Sequence, residues 1–105
     1  MTPERSFNRQ SLAESGLEVI VSKFVVKPGG EIPLHTHPGD EHYVVVQGTT
    51  LTTPDGKIFE LKDGMAKSYP RDQVHGGVTN SGDRDLVLTT ILIVDKDKPM
   101  FAIVN

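Results

Sequence analysis

The feature that most constrains the fold is a rhythm of short β-rich runs, each closed by glycine, proline or aspartate. No segment shows a convincing 3.6-residue apolar period, and residues 6–15 are the one weak helix candidate. Eight or more short strands at close, even spacing are typical of an all-β sandwich or barrel. The predicted strands cover residues 18–26, 31–37, 41–47, 49–53, 57–61, 65–69, 74–79 and 85–94.

Length and composition narrow the class of protein. The chain has 105 residues, which predicts one domain. Its net charge of −3 and the lack of a basic stripe argue against a nucleic-acid partner. The longest apolar-leaning run, residues 86–94, is far shorter than the ~20 residues that a membrane-spanning helix needs, so it is predicted to be a buried strand and no membrane association is expected.

Cysteine is absent from the sequence. Disulfide bonds, thiolate zinc sites and cysteine nucleophiles are therefore ruled out together. The N-terminal residues also contain no apolar stretch of signal-peptide length. We therefore expect a cytoplasmic location.

Histidine is concentrated in one short region. His35 and His37 are two residues apart, a spacing that places both side chains on one face of a strand. Glu41 follows after a Pro-Gly turn, and His75 lies on a later predicted strand. Imidazole and carboxylate suit divalent Fe, Mn, Co, Ni, Cu or Zn, and four such ligands leave two positions of an octahedral ion open. Taken alone, however, His35 and His37 fit a surface pair as well as a ligand pair.

The residues around these histidines form a longer pattern. Five residues separate Gly29 from the His35-Thr36-His37 triplet. Three residues then separate the triplet from Glu41, and six separate Glu41 from Gly48. This order resembles the first conserved motif of the cupin family.

Residues 64–80 resemble the second cupin motif. The spacing of this motif is matched by Gly64 and Pro70, which five residues separate, and by His75 after them. Asp72 stands where the family has glycine, a replacement that aspartate tolerates because it accepts the left-handed conformation. Asn80 comes one place later than the family asparagine and is expected to shape a turn.

The resemblance implies a single-domain cupin over residues 1–105, with its motif region at about 29–80. It implies an all-β fold, an antiparallel barrel or jelly roll, in which His35, His37, Glu41 and His75 hold one divalent transition metal ion. Cupins include dioxygenases, isomerases, epimerases, decarboxylases and lyases. We therefore expect a metal-dependent enzyme acting on a small organic molecule, with dioxygenase-type chemistry favoured. The alternatives are a non-catalytic module that binds or senses a small ligand, and a structural barrel holding adventitious metal.

Strand alternation predicts which residues next to Glu41 share its face of the strand and which lie on the opposite face. His42 should face away from Glu41, whereas Tyr43 shares the face of Glu41 and is the candidate catalytic residue. Core packing with a hydrogen-bonded hydroxyl is an equally good reading of Tyr43. Four further residues are predicted to be core: Phe59, Met65, Tyr69 and Leu88.

Self-association is a separate expectation. Small cupins often form dimers, and apolar residues occur near both ends of the chain, at Phe7 and at residues 100–104. Such residues can cover an edge strand or a partner's sheet. A homodimer is therefore predicted.

Overall fold

The computed structural model describes residues 3–105, and Met1 and Thr2 of the predicted domain lie outside this range. Every regular element in the described part of the chain is a β-strand, and none of it is a helix long and apolar enough to cross a membrane. The strands are β1 (Glu4–Ser11), β2 (Leu17–Val26), β3 (Glu31–Ile32), β4 (His35–Thr36), β5 (Gly39–Gln47), β6 (Thr49–Thr52), β7 (Ile58–Leu61), β8 (Ala66–Tyr69), β9 (Val78–Asn80), β10 (Leu86–Asp95) and β11 (Ala102–Ile103).

The strands form three antiparallel sheets. The largest has the order β1-β2-β10-β5-β8, the second has the order β3-β9-β6-β7, and β11 pairs with β4 alone. The two larger sheets share one apolar core, to which β2, β5 and β10 contribute from one side and β6, β7 and β9 from the other. The chain thus adopts the predicted all-β jelly roll. Within residues 3–105 its strands form separate sheets, and hydrogen bonds do not close them into one continuous barrel.

Strict alternation decides what faces this interior. In β10 every second residue from Leu86 to Val94 is buried. In β5 the buried positions are Gly39, Glu41, Tyr43 and Val45. Because side chains alternate between faces, these two strands, which pair along most of their length, present one continuous inner surface.

The weak helix candidate at residues 6–15 was wrong. Most of it belongs to β1, which pairs antiparallel with β2 along its whole length, from Glu4 opposite Val25 to Ser11 opposite Glu18. β1 is an edge strand and most of its residues are exposed, so its sequence carries no alternation of apolar and polar residues. Backbone pairing to β2, which a local pattern cannot reveal, makes it a strand.

Two predicted strands are interrupted. Residues 31–37 divide into β3 and β4, with Pro33 between them. In residues 74–79 only the end, within β9, is a strand, because Gly76 and Gly77 adopt φ angles of +88° and +72°, which extended strands do not have.

Candidate metal centre

The backbone brings two distant histidines together. His35 and His75 form an isolated antiparallel bridge, in which the amide N–H of each donates to the carbonyl of the other, at 2.9 and 3.0 Å. Their ring centroids are 4.2 Å apart. Gly76 permits this contact, because a Cβ there would lie 2.4 Å from the Pro33 carbonyl oxygen and 3.0 Å from His35 Nδ1.

His37 and Glu41 complete the cluster from either side of the turn into β5. Both are buried, at 3% and 6% exposure. Glu41 Oε1 lies 2.9 Å from His75 Nε2, and Oε2 lies 3.7 Å from His37 Nε2. Gly39 allows the turn to approach β10 closely, since a Cβ there would lie 2.0 Å from the Ile93 carbonyl oxygen. The structure therefore brings all four predicted ligand residues into one place.

Backbone carbonyls orient all three imidazoles. Nδ1 of His35, His37 and His75 lies 2.6, 2.8 and 2.9 Å from a carbonyl oxygen. These carbonyls belong to Pro33, Met100 and Gln73 respectively. Since a carbonyl only accepts, each Nδ1 carries a proton, and in the neutral ring Nε2 is left as a lone pair.

The Nε2 atoms fit a cation. Nε2 of His37 and of His75 is buried, and neither has a hydrogen-bond donor among the described residues, while Glu41 Oε1 lies 2.9 Å from Nε2 of His75. One ligand atom from each of the three histidines lies within 4.8 Å of the others. Buried acceptors without donors are costly, and one divalent ion would satisfy them together. His35, His37 and His75 could therefore hold a metal ion.

The four residues differ in the protonation state that they favour. Burial lowers the pKa of His35 and of His37, which keeps both rings neutral. Burial also opposes charge on His75, but the Glu41 carboxylate and the Gln73 carbonyl outweigh it and raise the pKa of His75. Burial would raise the pKa of Glu41, yet the neighbouring histidines, His75 foremost, lower it, so Glu41 is a carboxylate.

A cavity of about 120 Å³ adjoins the cluster between the two sheets. Tyr43 lies on its wall, and burial raises the pKa of this phenol, which interacts with Tyr69. Tyr69, predicted to be core, also lines the cavity, where its ring stacks on His75 at a centroid distance of 4.2 Å. His42 is exposed on the opposite face, as predicted.

Of the other residues predicted to be core, two are in or against the core and one is exposed. Leu88 is buried and Met65 packs against the core, as predicted. Phe59 was predicted wrongly: it is 41% exposed, although it also lines the cavity. Its strand, β7, is the edge of the smaller sheet, so no neighbouring strand covers it on that side.

The sequence analysis did not identify two cationic residues of the cavity wall, Arg5 and Lys67. Arg5 lies on β1, immediately before the segment that was wrongly predicted as a weak helix. Lys67 lies directly opposite Tyr43 in the β5–β8 pairing, so only the strand register reveals that it faces the cavity. Two polar residues within apolar strands, Ser22 and Thr90, were the available signal, since both are buried on the same inner face.

The two departures from the second motif have clear structural roles. Asp72 adopts φ of +64°, the left-handed conformation anticipated for it. The buried Asn80 side chain donates to the carbonyls of Val26 and Arg84 and accepts from the Gly82 amide. Asn80 therefore shapes the turn after β9, as expected.

The fold and the histidine cluster together define a small jelly-roll protein with a candidate metal centre. The sequence profile of the cupin domain matches residues 22–94. The chain belongs to the cupin family.

Comparison with individual proteins agrees with this assignment. An auxin-binding protein of Prunus persica is 35% identical over 85 residues, covering 73% of this chain and 40% of that protein. A dimethylsulfoniopropionate lyase of Ruegeria pomeroyi is 35% identical over 51 residues, covering 49% of this chain and 34% of the lyase. A double-stranded β-helix protein of Klebsiella pneumoniae, whose structure is solved, superposes with a TM-score of 0.70 at 25% identity, covering 99% of this chain and 85% of that one. The chain spans less than half the length of the curated relatives it matches.

Proposed function

We propose that this cupin is a metal-dependent enzyme that acts on a small organic molecule, with His35, His37, Glu41 and His75 as the ligands of one divalent transition metal ion. The observation that supports this most is the convergence of three imidazoles whose Nδ1 atoms are all engaged by carbonyls. Carbonyls or carboxylates beside metal-bound histidines commonly fix the ring in this way. The adjoining cavity gives a substrate access to the same point.

The chemistry available to the chain favours oxygenation. A bound Fe, Mn, Ni, Co, Cu or Zn ion with open positions would polarise a substrate oxygen or supply redox chemistry. Glu41 is the one carboxylate on the cavity wall among residues 3–105, and it is engaged with His75. The wall therefore lacks the second carboxylate that acid–base catalysis of an isomerase or lyase would use. This supports dioxygenase-type chemistry.

Tyr43 is the residue that we propose as the hydrogen-bond donor to the substrate. Its phenol stays neutral because burial raises its pKa. A neutral phenol on the cavity wall can donate a hydrogen bond to a developing oxyanion on the substrate. Leu51, Leu61 and Leu88 line the same cavity, and apolar walls of this kind lower the local dielectric constant, which strengthens such a bond.

The second candidate function is a binding module without catalysis. The likeness to an auxin-binding protein favours it. The same cavity and metal would then hold a small ligand for sensing or storage. A purely structural barrel with adventitious metal is the third possibility, which substoichiometric mixed metals without any activity would support.

An oxygen-uptake screen separates the first two functions. The protein would be reconstituted with Fe²⁺ and mixed with small diketones, flavonols, thiols or hydroxy acids while dissolved O₂ is followed. We expect uptake with one class of compound, and none in the His35→Ala/His75→Ala variant. Stoichiometric metal with tight ligand binding but no turnover would favour the binding module instead.

We also propose that the chain forms a homodimer through the outer face of the larger sheet. Val21, Val44 and Val46 are 44%, 43% and 57% exposed on that face, beside the half-buried Ile91. Aliphatic side chains exposed side by side on a sheet are typical of an interface.

A cytoplasmic location stays a prediction from the cysteine-free sequence.

A further inference from the structure

Arg5 occupies an unusual position for a cation. It lies on β1 opposite Phe24, and its guanidinium stands 4.5 Å from the centroid of that ring, at the wall of the cavity. Nη1 donates to the hydroxyls of Ser22, at 3.0 Å, and Thr90, at 3.3 Å. Both hydroxyls are buried, at 2% and 1% exposure, so the inner face of the sheet is built to hold this group.

The guanidinium forms no ion pair among the described residues: burial lowers its pKa, and the Glu41 carboxylate opposes this only from beyond ion-pair distance. No carboxylate among residues 3–105 lies within ion-pair distance of Arg5, and its Nε and Nη2 donate to no acceptor in that range. By contrast, Arg9 on the same strand is paired with the buried Glu18. Burial of a cation without a directly paired carboxylate is costly, and two of the three nitrogen atoms of Arg5 have no acceptor in the described residues.

A second cation lines the same cavity. Lys67 lies beside Tyr43 across the β5–β8 pairing, and it too forms no ion pair within the described residues. A divalent ion at the histidines would add further positive charge, of which Glu41 offsets only part. The cavity therefore combines excess positive charge with apolar walls, a combination that favours a small anion with an apolar body.

We propose that the substrate or ligand of this site is a small organic acid whose carboxylate is bound by Arg5, with Lys67 adding to the attraction. This inference rests on the proposed function, since it places the acid beside the proposed metal. A planar guanidinium matches a carboxylate with two parallel N–H donors, which Nε and Nη2 provide. The cavity, at about 120 Å³, is smaller than a cavity of about 150 Å³ that holds benzene, so its size favours an acid of a few carbon atoms.

The test is ligand binding to the Zn²⁺-loaded chain, in which no redox turnover takes place. Malonate and malonamide share one skeleton and differ in charge, and their affinities would be measured by calorimetry. We expect Arg5→Gln to weaken malonate binding about 10- to 100-fold, the effect of one charge-assisted pair, and to leave malonamide binding unchanged. Lys67→Gln should weaken malonate binding several-fold, because Lys67 is more exposed.

Lys23→Gln is the matched control, since Lys23 is an exposed cation on the neighbouring strand and does not line the cavity. It should change malonate binding less than twofold. If Arg5→Gln does not fold, Arg5→Lys and Lys67→Gln carry the test.

Zinc content, measured on each sample, separates the two proposals. A wild-type chain that takes up no zinc contradicts the proposed metal site. Variants of Arg5 and Lys67 that hold zinc and bind malonate as tightly as the wild type overturn the assignment of the acid.

Discussion

At the scale of the residue, the spacing of ligand-type side chains was the informative signal. His35, His37, Glu41 and His75 were identified from two glycine-framed motifs, and the structure places them in contact. Arg5 could not be found in this way, because its role depends on the pairing of β1 with β2. The carbonyl partners of the histidines were equally hidden, since Met100 lies 63 positions from His37.

Gly76 should be required for the metal site. Gly76→Ala adds a Cβ that collides with the Pro33 carbonyl and crowds His35, so it should lower the metal affinity at least tenfold. Gly56→Ala is the control, because Gly56 has a similar φ of +87° but open space around its Cβ position. Zn²⁺ competition with a chromophoric chelator would measure both affinities. Equal losses in the two variants would refute the steric explanation.

Metal binding should release protons in a pH-dependent way. Because the pKa of His75 is raised above the ordinary histidine value of about 6.5, this ring is more than half protonated at pH 6.5, and the proton must leave before the ion binds. The metal affinity should therefore rise as the pH rises through the pKa of His75 and then level off. Calorimetry in buffers of different ionisation enthalpy should show more proton release at pH 6.5 than at pH 8.5. A release that is constant over this range would contradict the assignment.

At the scale of the element, strands with one buried face were predicted well and edge strands poorly. β2, β5 and β10 have clear apolar patterns because the core selects one face of each. β1 has no such pattern, and its strand conformation comes from pairing with β2. Gly76 and Gly77 also delay the start of the strand predicted around His75, so that the strand begins only at Val78.

The short strand β11 should stabilise the metal site more than the fold. It pairs with β4, which carries His35, and the adjacent Met100 carbonyl orients His37. Deletion of residues 100–105 should therefore weaken Zn²⁺ binding about 10- to 100-fold, a typical cost of losing groups that orient ligands. Chelator competition gives the affinity, and circular dichroism checks that the β-structure persists. Deletion of Asn105 alone is the control, and an unchanged affinity in the longer deletion would disprove the role of β11.

At the scale of the whole molecule, strand rhythm and motif spacing were sufficient to predict an all-β jelly roll. They did not predict how the strands divide into sheets, because strand order depends on contacts between distant residues. The apolar outer face of the larger sheet likewise became visible only when β2, β5 and β10 were placed side by side.

That outer face leads to a prediction about assembly. Light scattering at micromolar concentration should give about twice the chain mass of 11.5 kDa. Val21→Lys combined with Val46→Lys should yield a monomer, because charge is costly in an apolar interface. Ile58→Lys, at a 69% exposed position on the other sheet, should leave the dimer intact. A wild-type monomer at that concentration would contradict the proposed homodimer.

The metal site can be tested by the metal content of protein purified without an affinity tag. Elemental analysis should find about one transition metal ion per chain, as one site of this ligand type requires. His35→Ala/His75→Ala should abolish it, whereas His42→Ala, which alters the exposed histidine next to Glu41, should not. A double variant that keeps its full metal content would contradict the assignment of His35, His37, Glu41 and His75 as the metal ligands.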